Sequence, residues 1–184
     1  NFLVGQQTGL NKTNSFGINF SDNWSKKVAF RGSYFFNNAN NQNAQSTYRT
    51  YFVNQTANQY YAQQSNSNSQ NYNHRFNFRI EYTIDPKNTI IFTPRLSMQT
   101  NNSGTTTEGL TTLANNQKLN QSNNVSSAER SGFTFNNNVL YRHAFEKRGR
   151  SISLNIGTDF SDRTGLSYLN SNNQYFSSNT SAIV

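Results

Sequence analysis

The sequence predicts an all-β fold: a stretch of antiparallel transmembrane β-barrel, laid out as an up-and-down meander. Three observations predict it. Apolar and polar residues alternate with period two over most of the chain. Short and long connections alternate between the alternating segments. The composition is polar yet aromatic: 33% of the 184 residues are hydrophobic and 14% aromatic. A soluble domain draws on ~45–50% apolar residues, whereas disordered chains are poor in aromatics. A membrane barrel needs apolar residues on its outer face alone and is polar inside, so it fits both numbers.

The clearest segment runs from Asn71 to Ile84. Its even positions read Tyr72, His74, Phe76, Phe78, Ile80, Tyr82, Ile84, and its odd positions Asn71, Asn73, Arg75, Asn77, Arg79, Glu81, Thr83. On a helix these apolar residues would spread around the circumference; on a strand they form one face. The same alternation recurs with Phe16, Ile18 and Phe20; with Val28, Phe30, Tyr34 and Phe36, where Phe35 is off pattern; and with Ile90, Phe92, Leu96 and Met98, where Ile91 is off pattern. It recurs again with Phe133, Phe135, Val139 and Tyr141, and with Ile152, Leu154, Ile156 and Phe160. Six strands are expected at about 11–20, 27–36, 70–84, 89–100, 129–145 and 151–162, with a further strand starting near Gln174.

Three connections are short: Ser21 to Lys26, Asp85 to Asn88 and Glu146 to Arg150. Pro86 occupies the second position of its turn, where a fixed φ suits a tight reversal. The connections between them, Asn37 to Gln70, Asn101 to Ala128 and Ser161 to about Asn173, are long and polar. Strict alternation of this kind predicts short periplasmic turns and long extracellular loops. Within the first long loop, Thr47 to Val53 is itself strand-like and is read as a β extension above the membrane.

No cysteine is present, which excludes disulfides and thiolate metal sites. No apolar run reaches the ~18–20 residues of a membrane helix, but a barrel strand needs only ~9–11. The first residue is Asn, and Asn1 to Leu10 carries no signal character, so a piece of a longer protein is expected. The net charge of +8 comes from cations spread singly along strands, which does not read as a nucleic-acid patch.

The segments YRHAFEKRGRSISLNI (Tyr141 to Ile156) and NYNHRFNFRIEYTIDPKNTIIFTPRLS (Asn71 to Ser97) resemble strand–turn–strand units of the barrel family of Bacteroidetes outer-membrane proteins. The stretch from Trp24 to Phe36 fits the same family, and the resemblance covers about Phe16 to Phe160. It implies a TonB-dependent receptor-like protein, in which a carboxypeptidase-regulatory-like domain and a plug precede a large barrel of ~22 strands. Implied partners are outer-membrane lipid, the remainder of the barrel, a plug domain and TonB. Neither plug nor TonB box is visible in this chain, and the substrate is not legible.

Parity divides the candidate site residues. Phe30, Phe76, Phe78, Ile80, Tyr82, Phe92, Leu96 and Leu154 are expected to face the membrane; Arg31, Arg75, Arg79, Glu81, Arg95, Arg142 and Asp159 are expected to face the lumen. That lumen set is either a basic wall for anionic solute or plug carboxylates, or the ordinary polar interior of a barrel held by cross-strand Arg–Glu pairs. The aromatics Tyr82, Tyr141, Phe145, Phe20 and Trp24 fall near the short turns. Tyr34, Phe36, Tyr72 and Phe133 fall near the long loops, as two interfacial girdles require. His74 and His143 share the apolar parity at opposite strand ends. Neither has a serine and carboxylate beside it, so no catalytic constellation is expected, and no metal, phosphate or nucleotide motif occurs. The open alternatives are uptake of solute through a receptor-like barrel, a non-transporting barrel whose polar loops bind or adhere, and a secreted β-rich adhesin.

Overall fold

The computed structural model describes residues 8–53 and 57–176. Among them there are strands and turns and no helix. The strands are β1 (Leu10–Asn23), β2 (Val28–Val53), β3 (Ala57–Asp85), β4 (Asn88–Phe92), β5 (Arg95–Leu113), β6 (Lys118–Ala144) and β7 (Ser151–Tyr175). They form one antiparallel meander. β1 pairs β2, β2 pairs β3, β3 pairs both β4 and β5, these two pair β6, and β6 pairs β7. β4 and β5 are one strand interrupted at Thr93–Pro94. The pairings Phe92 with Val139 and Arg95 with Asn136 keep a constant register across the break. A proline has no N–H, so Phe78 N–H donates to Pro94 O at 2.9 Å but the return bond of that pair cannot form.

Each short connection closes by local chemistry. In 24–27, the Ser25 hydroxyl accepts from the N–H groups of Lys27 and Val28, both at 3.1 Å. At 86–87, the Asp85 carboxylate accepts from the N–H groups of Lys87 (2.8 Å) and Asn88 (2.9 Å), and Pro86 supplies its preset φ. In 145–150, Phe145 N–H donates to Arg150 O at 3.0 Å, and Gly149 takes a φ of 83°, a region costly for any side chain.

The long connections differ from the sequence expectation. In Asn37 to Gln70 the described residues are all strand, and in Asn101 to Ala128 all are strand but the turn at 114–117. β2 and β3 stay paired from Val28–Tyr82 to Val53–Ala57, and β5 and β6 from Arg95–Asn136 to Thr112–Lys118. β7 likewise runs through Ser161 to Tyr175, so Gln174 ends a strand where a new one was expected to start. The stretch Thr47 to Val53 is the end of β2, in keeping with its reading as a β extension. The reason is cooperative: apolar pairs fix the register near the short turns, and polar residues beyond them keep adding ladder hydrogen bonds at no register cost. Asn, Gln, Ser and Thr on both faces erase the alternation without preventing pairing. Residues 1–7 and those beyond 176 lie outside the described residues.

Each of the outer strands β1 and β7 has a single neighbour, and both are exposed along their whole length. Among the described residues the sheet is open at both edges.

Candidate functional site: an apolar band and a polar face

Directly paired residues share a face of an antiparallel sheet, so the registers assign every side chain. One face carries the pairs Phe30–Ile80–Phe92 and Val28–Tyr82–Ile90, and the pair Phe76–Leu96. Phe78 and Leu154 lie on it as well, Leu154 opposite Tyr141. The other carries Arg31 opposite Arg79, Asn77 opposite Arg95, Glu81 opposite Ile91, Arg142 opposite Thr89 and Asp159 opposite Asn136; Arg75, opposite Ser97, completes the set. The fifteen side chains picked out by parity therefore sort onto two faces with no exchange.

The apolar face has a property that parity alone does not contain. Its apolar stretch is about nine residues high on the central strands β2 to β6 and level across them. One margin runs Val28, Tyr82, Ile90, Tyr141, Leu154. The other runs Phe16, Phe36, His74, Met98, Phe133 and reaches Asp162 on β7, and at the opposite edge Asp22 of β1 lies beside Phe30 on the same face. One row further out the same face reads Asn14, Asn38, Tyr72, Thr100, Ser131, Thr164. No described residue covers the band: Ile18 is 55% exposed, Ile152 58% and Phe160 62%.

Aromatic rings line both margins. At the short-turn margin Trp24 stacks on Phe30 (4.7 Å between centroids), and Phe145 meets His143 edge-on at 4.7 Å. At the far margin the Tyr34 hydroxyl bonds His74 Nδ1 at 2.9 Å, and Phe36 packs against both His74 and Tyr72. The two histidines thus occupy opposite margins of the band.

The polar face holds the residues that are buried. Asn41, Asn71, Asn73, Ile91, Gln99, Asn101 and Gly109 are the buried described positions, and the registers place all of them there. In a single uncovered sheet, side chains bury one another only where they converge. Amides knit this region: Gln99 donates to Asn71 Oδ1 at 2.5 Å, and Asn101 donates to the Ser69 hydroxyl at 3.0 Å. Ile91, off pattern in the sequence, is the one apolar member; it faces Leu140 across the ladder. Its signal in the sequence is weak, because Ile91 and Leu140 pair only once the register is known.

The charged residues do not form the expected cross-strand Arg–Glu pairs. Arg79 meets Glu81 at 3.2 Å along its own strand, both about two-fifths exposed, while Arg31 lies directly opposite Arg79. Exposed pairs of this kind contribute ~0–1 kcal/mol, so the pair does not hold the sheet; the ladder and the amides do. Asp85 has a displaced acidity. The Asn88 side-chain amide, then the Lys87 and Asn88 backbone N–H groups and the nearby His143, hold it below the usual 3.8.

No protein-family model matches the chain, and no curated protein matches it.

Proposed function

We propose that this chain is a wall segment of a TonB-dependent receptor-like β-barrel in a bacterial outer membrane, with uptake of solute as the work of the whole barrel. One observation carries the membrane part of this reading: a bare apolar band, on one face only, level across the central strands. With strands ~4.8 Å apart and a rise of ~3.3 Å per residue, the band covers on the order of 800 Å². Soluble monomers rarely expose contiguous apolar patches beyond a few hundred Å². About nine residues is the length a tilted strand needs to cross the hydrocarbon layer, and aromatic margins on both sides are the girdles of such a barrel. A sheet curled towards its polar face crowds the side chains there, which accounts for where burial falls.

The transport part rests on the family resemblance. The ladders continue beyond the band for about 16 residues in β2, ~50 Å along the strand, and this supports a second reading. In that reading the barrel does not transport, and its polar hairpins bind partners or surfaces outside the cell.

Two measurements test the proposal. Spin labels at positions 78 and 79, in lipid-reconstituted protein, should report lipid and water respectively; equal access to an aqueous quencher at both refutes the membrane reading. The complete reading frame decides between the two barrel functions: an encoded plug domain supports uptake, and its absence supports surface binding.

A further inference from the structure

We infer that the short-turn end of the sheet is a docking surface for the phosphate headgroups of anionic phospholipids, an inference that rests on the membrane reading above. The meander brings the three short connections side by side. Thr83 N–H donates to Lys27 O and Ala144 N–H to Lys87 O, both at 2.8 Å. Lys27 Nζ reaches Ile84 O at 2.8 Å, and Lys87 Nζ reaches Glu146 at 2.8 Å. The resulting rim carries Lys26, Lys27, Lys87, Lys147, Arg148 and Arg150, every one exposed.

The nearby carboxylates are Asp22, Asp85 and Glu146. Asp85 is held by Asn88 and by two backbone N–H groups, and Glu146 by Lys87. The rim therefore keeps a surplus of positive charge. Beyond the band the cations are sparser and interleaved with carboxylates: Lys12, Arg49, Lys118, Arg130 and Arg163 stand with Glu108, Glu129 and Asp162 over a far longer stretch of chain. Cations are thus densest at the short-turn end.

The rim is also continuous with the band. Moving outward along the apolar face, one meets aliphatic and Phe side chains, then Tyr82, Tyr141, Phe145 and Trp24, then the cations. That is the order of chemistries in a phospholipid leaflet: acyl chains, interface, phosphates. Aromatic rings settle at the interface. Lysine and arginine lay their stems along apolar surface while the charge reaches the headgroups. A soluble polyanion would explain the cations but not the aromatic row and the apolar band beneath them.

Trp24 is the single tryptophan of the chain and lies in the rim, so its fluorescence reports docking without a label. The full chain, diluted from urea, is titrated with vesicles of phosphatidylcholine alone or mixed with phosphatidylglycerol, at low and high salt. A rim variant combines Lys26→Gln, Lys147→Gln and Arg148→Gln; a control variant combines Arg49→Gln and Lys118→Gln at the far end. Each cation near an anionic surface adds ~1 kcal/mol, about fivefold in affinity. The rim variant should therefore lose on the order of 100-fold on anionic vesicles and nothing on neutral ones. High salt should erase the difference, and the control should lose little. Equal binding of the unaltered chain to both vesicle types, or equal losses in rim and control variants, overturns the inference while leaving the membrane reading intact. Competition by millimolar inorganic phosphate overturns it in favour of a solute-phosphate site. No Trp24 response to either vesicle overturns the membrane reading itself.

Discussion

Placing an arginine at Phe78 and, separately, at Tyr82 measures what the apolar face meets. Phe78 lies midway between the band margins marked by Tyr82 and His74, and it is 38% exposed. Its ring packs over Gly32, where an added Cβ would come within 3.0 Å of it, and it sits 5.8 Å from the Phe30 ring. Phe78→Leu removes the ring pairing, worth ~0.5–1.5 kcal/mol. Phe78→Arg removes the same pairing and adds a charge. At a bilayer midplane that charge costs ~2–4 kcal/mol more, falling to ~0–1 near an interface; in water it costs almost nothing. The difference between the Arg and Leu variants therefore isolates the lipid term. It should be ~2–4 kcal/mol at position 78 and ~0–1 at position 82. Urea titration of folding into lipid vesicles, performed on the barrel that contains this segment, gives both numbers. Differences below ~0.5 kcal/mol at both positions, or equal ones, would refute the argument that the band is a membrane thickness, because depth dependence is its signature.

Asn88 Oδ1 accepts from the Tyr141 hydroxyl at 2.5 Å and from His143 Nδ1 at 2.7 Å. Asn88→Ala should therefore cost ~1–3 kcal/mol, read by denaturant titration, since it strands two donors. The Asp85 acidity gives a pH dependence of definite sign. Its folded pKa lies below the unfolded 3.8, so its contribution is complete above that value and is lost as pH falls through the folded one. Carbon-detected NMR of Asp85 should show a depressed titration that Asn88→Ala returns towards 3.8, with hydrogen-exchange protection of the 86–87 turn weakening at acid pH. Gly149 has nothing within 4 Å of an added Cβ and a φ of +83°; Gly149→Ala should cost ~1–2 kcal/mol through backbone strain alone, and a neutral result by thermal melting would show that the turn relaxes. Pro94→Val supplies an N–H to the strand between β4 and β5. It should add ~0.5–1.5 kcal/mol and give a slowly exchanging amide at position 94.

The part of the fold legible in the sequence is the part where the two faces differ. From Asn71 to Ile84 the alternation names a face for every residue, and the β2, β4, β5, β6 and β7 registers agree with it. Asp85-Pro86-Lys87-Asn88 announces its own turn. Where both faces are amide and hydroxyl the signal vanishes: Asn66 to Gln70 reads as a loop, yet it lies in a continuous ladder against Asn40 to Ala44 on one side and Asn102 to Thr106 on the other. Only Thr47 to Val53, where Tyr and Phe return, shows its strand character locally. The charge pairs were illegible for a different reason. Which cation meets which carboxylate depends on register, and the register sets Arg31 against Arg79 and leaves Glu81 to its own strand.

The row that crosses the middle of the band shows how far the apolar face tolerates local faults. Gly32 lies opposite Phe78, and the uninterrupted registers on either side of the break set Pro94 between Phe78 and Asn137, with Thr158 beyond. Three members depart from what an ordinary strand wants. Gly32 has no side chain to pack, Pro94 no hydrogen to donate, and Asn137 Oδ1 is buried without a hydrogen-bond partner. The faults are answered across the ladder. The Phe78 ring covers the space above Gly32, within 3.0–3.2 Å of where a Cβ would stand. Thr93 carries the ladder past the proline by donating both its N–H (2.8 Å) and its hydroxyl (3.1 Å) to Asn138 O. An isolated hairpin could not hold such a row, since two strands alone are marginal. Here every faulty residue has neighbours on both sides, so the meander's width keeps the band level across its weakest line.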